Sequence, residues 1–413
     1  MARIIPICIL LCLILYSSSL VAQEVDTTLP TAEAGKLYFI PLPAIGYNPV
    51  TGLLYGVAAS GNILLGDPSD TRLSSAFLTT TYTTNSQLLM TLKSTVYSKH
   101  DKWISMGDWR LLLSSQPTYG LGTGKQSELL LSNEENNFEL GKYNDGVDKG
   151  ELMEFNLFRF HETVLRQVHE DFYAGVGFHY DGYWKINDVL LNLDSDPPYV
   201  TNHYAYSTIH GFRTNGYTTS GPSINAVYDS RDNINSPYKG RYAFLQFKML
   251  PTWLGSDRSA TQLWLEYRDY FSMSRRVERN ILAIWSYFNL TTSGRLPYMG
   301  LPALGWDQFG KSGRAYPQGR YRGEHLFYFE AEYRFRIPIQ PKHPERFGGV
   351  VFVNTISASA DDLKLNLFDH FKSGAGVGFR FMLKEATRSN VTLDYGYGMD
   401  KKGAFYFNIN EYF

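Results

Sequence analysis

The amino-acid sequence predicts an all-β protein, a 16-stranded antiparallel transmembrane β-barrel of the outer-membrane type. Three observations predict this fold class. One segment near residue 330 alternates strictly between apolar and charged residues, the number of strand-like segments is even, and the composition is rich in aromatic residues and poor in charge.

The alternating segment spans residues 325 to 337. One face would carry Phe327, Phe329, Ala331, Tyr333, Phe335 and Ile337, and the other Tyr328, Glu330, Glu332, Arg334 and Arg336. Neighbouring side chains of a strand point to opposite faces, so this strand would be apolar outside and charged inside. A soluble sandwich would rarely line its second face with charges, whereas a membrane barrel has lipid outside and water inside.

Sixteen segments have strand character, and bacterial single-chain barrels have an even number of strands. The predicted strands are 37–46, 53–66, 73–84, 87–97, 103–114, 152–165, 172–186, 217–229, 241–250, 262–273, 280–290, 325–337, 347–358, 374–384, 390–398 and 404–413. The long connections, 115–151, 189–216 and 294–324, all follow odd-numbered strands. They would therefore emerge on one side of the membrane, as extracellular loops do.

The composition and the N-terminus agree with this fold. The chain has 413 residues, 15% aromatic and 19% charged, with a net charge of −1, which gives no indication of a nucleic-acid partner. Residues 1–22 read as a signal peptide cleaved after Ala22, because the apolar run is too short for a membrane anchor. Both cysteines, Cys8 and Cys12, lie in this segment. A short periplasmic lead, 23–35, would precede the barrel, 36–413.

The stretch before the alternating strand is long, basic and rich in glycine and tyrosine. It contains Arg314, Ala315 and Tyr316, followed by Gly319, Arg320 and Arg322. This pattern resembles the loop-six motif of the BamA/TamA (bacterial surface antigen) family of outer-membrane barrels, with Ala315 at the position where the family has glycine. The resemblance implies that the loop folds back into the lumen and that Arg314 docks on acidic groups of nearby strands.

The expected acidic partners of Arg314 are luminal. Glu330 and Glu332 begin the strand directly after the loop, and Asp394 points inward from strand fifteen. The alternative is that these carboxylates are ordinary solvated lining of the lumen. A guanidinium–carboxylate contact in a partly dry lumen is stronger than an exposed pair, which contributes little.

A second motif follows predicted strand eight at a periplasmic turn. It consists of Asp229, Ser230, Arg231, Asp232 and Asn233, with Pro237 and Gly240 after it. It resembles a signature of the same family. Asp and Asn cap turns, Pro presets one dihedral angle and Gly permits a positive one, so turn formation and packing explain these residues without any chemistry.

The seam between the first and last strands is the third feature. Pro41 and Pro43 lie in strand one, and proline is confined to edges and bulges because it cannot donate to a ladder. A bulge with no further role is the alternative to a weak lateral gate, which the family resemblance implies. At the other edge, Phe405, Phe407, Ile409 and Phe413 would share the lipid face, with Glu411 at the interface.

The family resemblance implies a role in outer-membrane protein insertion, assembly or translocation. The expected partners are outer-membrane lipid, client barrel proteins and a periplasmic accessory protein. The lead is too short for a periplasmic polypeptide-transport-associated (POTRA) domain, which is a departure from full-length BamA. The alternative is a passive channel or structural barrel. No metal motif, phosphate loop or cofactor signature occurs, so we expect no cofactor, no metal and no enzyme.

Overall fold

The structure is a computed structural model that describes residues 32–48, 52–125, 150–196, 198–274, 277–308, 310–340 and 343–413. The predicted signal peptide, 1–22, and most of the predicted lead lie outside the described residues. The described chain begins at Ala32, shortly before the first strand.

Sixteen antiparallel strands form one sheet in sequence order, each paired with its neighbours along the chain. In order from β1 to β16 they are Leu37–Asn48, Gly52–Ile63, Ser74–Thr83, Leu88–Tyr97, Trp103–Thr118, Glu151–His169, Phe172–Asp188, Gly216–Asp229, Gly240–Leu250, Ala260–Ser272, Asn280–Gly294, His325–Arg336, Phe347–Ala358, Lys372–Lys384, Ser389–Gly398 and Gly403–Ile409. The predicted fold class is confirmed, and every predicted strand has its counterpart.

Alternation along the strands separates an apolar outer face from a polar inner face. In β12, Glu330 and Glu332 are fully buried, while Tyr333 beside them is 41% exposed. Across β13 to β15, the mutually paired Val351, Val377 and Tyr395 form an exposed apolar row. An outward apolar band with an inward polar face is the arrangement that a bilayer requires.

The end of the lumen that carries the long connections is covered by loops. The helix α1, Asn202–Ile209, begins at Thr201, whose side chain accepts a hydrogen bond from the Tyr204 backbone N–H. Its Tyr206 packs in one apolar cluster with Leu296, Tyr298 and Leu301 of the β11–β12 connection. Short 3₁₀ turns occur at Lys99–Asp101, Thr252–Leu254, Tyr298–Gly300 and Asp361–Leu363. Within the described ranges, no helix is long and apolar enough to span a bilayer.

The last strand is shorter than predicted. β16 ends at Ile409, and Asn410 adopts a left-handed backbone conformation with φ of 65°. The prediction that Ile409 and Phe413 lie on the lipid face, with Glu411 at the interface, is therefore wrong, because each of these three residues is only 3% exposed. Asn tolerates a positive φ better than most residues, which permits this turn.

The outward apolar row generates a prediction. Val377 lies in the middle of β14 and is 57% exposed to the outside. Val377→Arg should lower the free energy of unfolding in lipid vesicles by about 2–4 kcal/mol, because a charge near the bilayer midplane is costly. The measurement is urea-induced unfolding monitored by tryptophan fluorescence.

The matched control is Tyr397→Arg, which replaces an outward residue near the end of β15. There the cost should be only about 0–1 kcal/mol, since the interface tolerates charge. Equal costs at the two positions would contradict the assignment of this row to the hydrocarbon layer.

Candidate functional site: loop six and the seam

Loop six, residues 295–324, connects β11 to β12 and folds back into the lumen. Backbone hydrogen bonds join its arms: the N–H of Leu304 donates to the Tyr321 carbonyl at 2.9 Å, that of Gly319 to the Leu304 carbonyl at 2.8 Å, and that of Gly323 to the Pro302 carbonyl at 3.0 Å. At the tip, the Asp307 carboxylate accepts hydrogen bonds from the backbone N–H and the hydroxyl of Ser312 at 2.9 and 2.6 Å. These contacts direct Arg314 towards the wall of the barrel.

Arg314 reaches three carboxylates at once. Its Nη1 donates to Asp394 at 2.7 Å, and its Nη2 donates to both Glu330 and Glu332. The guanidinium lies between two aromatic rings, 3.8 Å from the Phe352 centroid and 4.0 Å from the Tyr412 centroid. The structure thus brings together the loop-six arginine and all three acidic residues that the sequence suggested.

The carboxylates around Arg314 continue into a larger buried network, which we call the charge hub. Its eight members are Arg279, Arg314, Arg334, Arg380, Glu330, Glu332, Asp394 and Glu411, whose side chains are at most 1% exposed. Each member forms at least one ion pair with a member of opposite charge. A buried ion network is costly unless every charge is paired, and this pairing satisfies that condition.

Ala315 has the backbone geometry of a glycine. Its φ is 107°, a conformation that side-chain-bearing residues rarely adopt. The loop also lies against glycines of the wall: a Cβ at Gly396 would lie 2.7 Å from the Ala315 nitrogen, and one at Gly374 would lie 2.7 Å from the Ala315 Cβ. Glycine at these inward positions of β14 and β15 permits the close approach of loop six.

The remaining residues of the loop-six motif hold the loop in place through contacts at several levels of the barrel. The Tyr316 hydroxyl donates to the Ser373 carbonyl at 2.5 Å. Arg322 donates to the Tyr298 carbonyl at 2.9 Å and lies over that ring. This contact within loop six joins its second arm to the apolar cluster that contains Tyr206. The Arg320 guanidinium lies 4.6 Å from the Tyr119 ring centroid. Gly319 has a positive φ of 78°.

The C-terminal tail, residues 410–413, enters the charge hub from the opposite side. Glu411 accepts hydrogen bonds from Arg380 at 2.7 Å and from Arg279 at 3.2 Å. Tyr412 covers Arg314, and the Phe413 carbonyl accepts a hydrogen bond from Arg334 at 2.9 Å. Arg314 therefore contacts the tail as well as the wall.

The periplasmic turn signature forms a compact network. Arg231 makes a two-pronged contact with Asp229, at 2.9 and 2.8 Å, and the Asn233 side chain accepts from the backbone N–H groups of Asn235 and Ser236. The other signature residues support the turn: the Ser230 hydroxyl accepts from the Arg241 N–H, Asp232 accepts from Arg388, Pro237 is buried, and Gly240 has a φ of 100°. Turn formation explains all of them.

The turn also connects the two sides of the seam through Asn235. Its side-chain amide donates to Asn62 of β2 at 2.9 Å and to the Thr387 carbonyl at 3.0 Å, and its oxygen accepts from Asn410 at 2.8 Å. β1 and β16 themselves form no ladder with each other among the described residues. Pro41 and Pro43 lie in β1, within a β1–β2 ladder that continues without a register shift.

Comparison with known proteins identifies the family. A model of the Omp85 superfamily domain matches residues 121–413. The chain belongs to the Omp85 superfamily. Among curated proteins, no sequence matches this one.

Two solved structures resemble this Omp85 barrel. BamA from Haemophilus ducreyi, in a form lacking POTRA domains 1–3, superposes with a TM-score of 0.54 at 15% identity, over 91% of this chain and 69% of that one. CdiB from Acinetobacter baumannii superposes with a TM-score of 0.50 at 10% identity, over 91% of this chain and 59% of that one. These likenesses show the barrel fold, and an Omp85 barrel belongs in the outer membrane.

The lumen of this Omp85 barrel also contains a serine–histidine pair. His179 Nε2 lies 2.8 Å from the Ser223 hydroxyl, but His179 Nδ1 is buried and has no hydrogen-bond partner among the described residues. A nucleophilic triad needs a group that orients the histidine through its second nitrogen. Among the described residues, no three His, Cys, Asp or Glu side chains form a group that could hold a metal. That the protein is not an enzyme stays a prediction.

The sequence did not predict the part that the C-terminal tail, Arg279, Phe352 and Asn235 play in the site. A signal for the tail was present, because Glu411 is a charge on a face predicted to touch lipid, next to an asparagine that can turn the chain. The glycines at alternate positions of β14 were a signal for the close approach of loop six. No local pattern marks Arg279, Phe352 or Asn235, whose partners lie far away in the sequence.

The charge hub generates a prediction for this Omp85 protein. Arg314→Ala removes the cation shared by Glu330, Glu332 and Asp394. Breaking a buried pair leaves uncompensated charge, so the free energy of unfolding should fall by about 3–5 kcal/mol. Heat-modifiable migration should shift to lower temperature, and conductance in planar bilayers should rise as the loop leaves the lumen.

The control is Arg213→Ala, which removes an ion pair with Asp257 in which the arginine side chain is 66% exposed. An exposed pair contributes little, so both readouts should stay near wild type. Unchanged migration together with unchanged conductance in Arg314→Ala would contradict the docking role.

The positive φ of Ala315 generates a second prediction. Ala315→Gly should raise the free energy of unfolding by about 1 kcal/mol, because glycine adopts this conformation without strain. The matched variant in the same loop is Gly313→Ala, where φ is 85° and a Cβ would lie 2.5 Å from Leu304. It should be destabilised, and urea-induced unfolding in vesicles measures both. Changes of the same sign in the two variants would contradict the assigned backbone conformation.

Proposed function

We propose that this Omp85 barrel inserts or translocates polypeptides at the outer membrane and that the seam between β1 and β16 is where it acts. The observation that carries the proposal is the unpaired seam. β1 and β16 share no ladder among the described residues, and β16 is only seven residues long because the tail turns into the lumen.

An unpaired strand edge has a direct chemical consequence in a membrane. Its N–H and C=O groups can bind another strand, and a bilayer interior offers them no other partner. A client strand that added to such an edge would satisfy its own backbone while it entered the bilayer. Pro41 and Pro43 reduce the donors that β1 offers, which keeps permanent closure weak.

Loop six supports this mechanism from inside. Its tip is tied through Arg314 to β12 and β15, and through Tyr412 to the tail. The strands on the β16 side of the seam would thus stay rigid while the seam opens. The same loop fills part of the lumen, which favours a mechanical role over the alternative, a passive channel or structural barrel.

The proposed partners follow from this mechanism. They are client barrel proteins at the seam, outer-membrane lipid around the outward apolar face, and a periplasmic accessory protein that delivers clients. The chain spans 69% of the BamA form and 59% of the CdiB structure that it resembles.

The test is the folding rate of a small test barrel added unfolded to proteoliposomes that contain this protein. We expect folding to be several-fold faster than in protein-free liposomes. Ala44→Cys combined with Asn408→Cys places one thiol on each side of the seam, since both residues line the same cavity between β1 and β16. A chain expressed from Gln23 lacks Cys8 and Cys12, so these thiols are unique.

Joining the two thiols with a cleavable bismaleimide should abolish the acceleration, and cleaving the linker should restore it. The single-cysteine variants treated in the same way are the controls and should keep the acceleration. Folding no faster than in empty liposomes, with a steady ion conductance, would contradict the proposal and indicate a passive channel.

A further inference from the structure

A large cavity lies inside the barrel directly beside the seam. Its volume is about 690 Å³, within the range of small-molecule sites. It is bounded by Pro43, Ala44 and Ile45 of β1 and by Phe407, Asn408 and Ile409 of β16. These two strands share no ladder among the described residues, so no strand pairing separates the cavity from the bilayer at this point.

Part of the inner wall of the cavity is apolar, where a barrel lumen is normally polar. The side chains of Phe77, Ile104, Met106, Val227 and Ile234 line it. Ile104, Met106 and Val227 belong to one buried cluster with Tyr97 and Tyr242, and Ile234 packs against it. Inward faces of such barrels carry polar residues as a rule, so this wall is a departure that lumen lining does not explain. Water forms few favourable contacts with an apolar wall, whereas an acyl chain would bury its own apolar surface against that wall.

The charged groups that line the cavity are mostly cations. Lys93, Arg231, Arg268 and Lys311 line it, and the one carboxylate is that of Glu411. That carboxylate already binds Arg279 and Arg380. Arg231 and Arg268 are compensated by Asp229 and Glu266. Lys93 lies beside the tip of loop six at Gly310, and Lys311, which also donates to the Glu411 backbone oxygen, follows it in the same cavity. An anionic group at this end of the cavity would therefore lie beside two ammonium groups.

We propose that this cavity binds an anionic single-chain amphiphile of the fatty-acid type, which enters from the bilayer through the seam. Its chain lies against the Ile104–Val227 wall, and its carboxylate lies near Lys93 and Lys311. An added client strand would pair with the backbone edge of β1, whereas this ligand contacts side chains behind that edge. The site does not depend on the proposed insertion activity.

The test is titration of the purified barrel, in a non-ionic detergent, with the fluorescent fatty acid cis-parinaric acid. We expect saturable binding with a fluorescence increase. Ala58→Trp adds bulk to the cavity from β2 without removing a contact, and it should abolish saturable binding. Lys93→Gln should weaken binding about tenfold, the loss expected from one charge-assisted hydrogen bond. The methyl ester of the probe should bind wild type as weakly as the acid binds Lys93→Gln.

Lys248→Gln is the matched control, because Lys248 lines a different luminal cavity. It should bind the probe like wild type, and heat-modifiable migration verifies that each variant is folded. Absence of saturation in wild type, or equal signals from all variants, would mean that the probe only partitions into detergent and would overturn the site. Displacement of the probe by neither oleate nor palmitate, but by a peptide with a barrel strand sequence, would assign the cavity to client strands instead and would also overturn it.

Discussion

The structure depends on one guanidinium. Arg314 extends from a loop into the lumen and is shared by Glu330 and Glu332 of β12 and Asp394 of β15, with two strands of the wall between them. The contact is buried, so each charge needs a partner, and three further arginines and Glu411 supply the remaining ion pairs. Each of these groups holds another segment of the chain in place, which makes the charge hub the point where loop, wall and tail meet.

The open seam is a consequence of the same network. Glu411, Tyr412 and Phe413 bind inside the hub and cannot extend β16 at the same time. β16 is left too short to close against β1, whose prolines already weaken its edge. At the periplasmic end, Asn235 joins both sides through side-chain hydrogen bonds. Such bonds are individually modest, so this closure can open more readily than a full ladder.

Local patterns in the sequence were sufficient to predict the strands, because the alternation of side chains and the preferences of turn residues act over only a few positions. The resemblance of loop six to the family motif suggested that Arg314 docks on acidic groups, and the alternation of β12 and β15 indicated which acids face the lumen. The inward turn of the tail was not predicted, because Phe405, Phe407 and Ile409 continue the outward pattern up to the residue before Asn410. The apolar wall behind the seam was missed for a different reason: its members come from β3, β5, β8 and the following turn, and no single strand shows the departure.

The central claim is that Arg314 and the wall carboxylates act as one coupled unit. A double-mutant cycle between Arg314→Ala and Asp394→Ala, measured by urea-induced unfolding in vesicles, tests it most directly. We expect a coupling energy of about 2 kcal/mol or more, because each single variant leaves its partner buried and unpaired while the double variant does not. Additive effects, within about 0.5 kcal/mol, would show that the two residues do not depend on each other and would contradict the account.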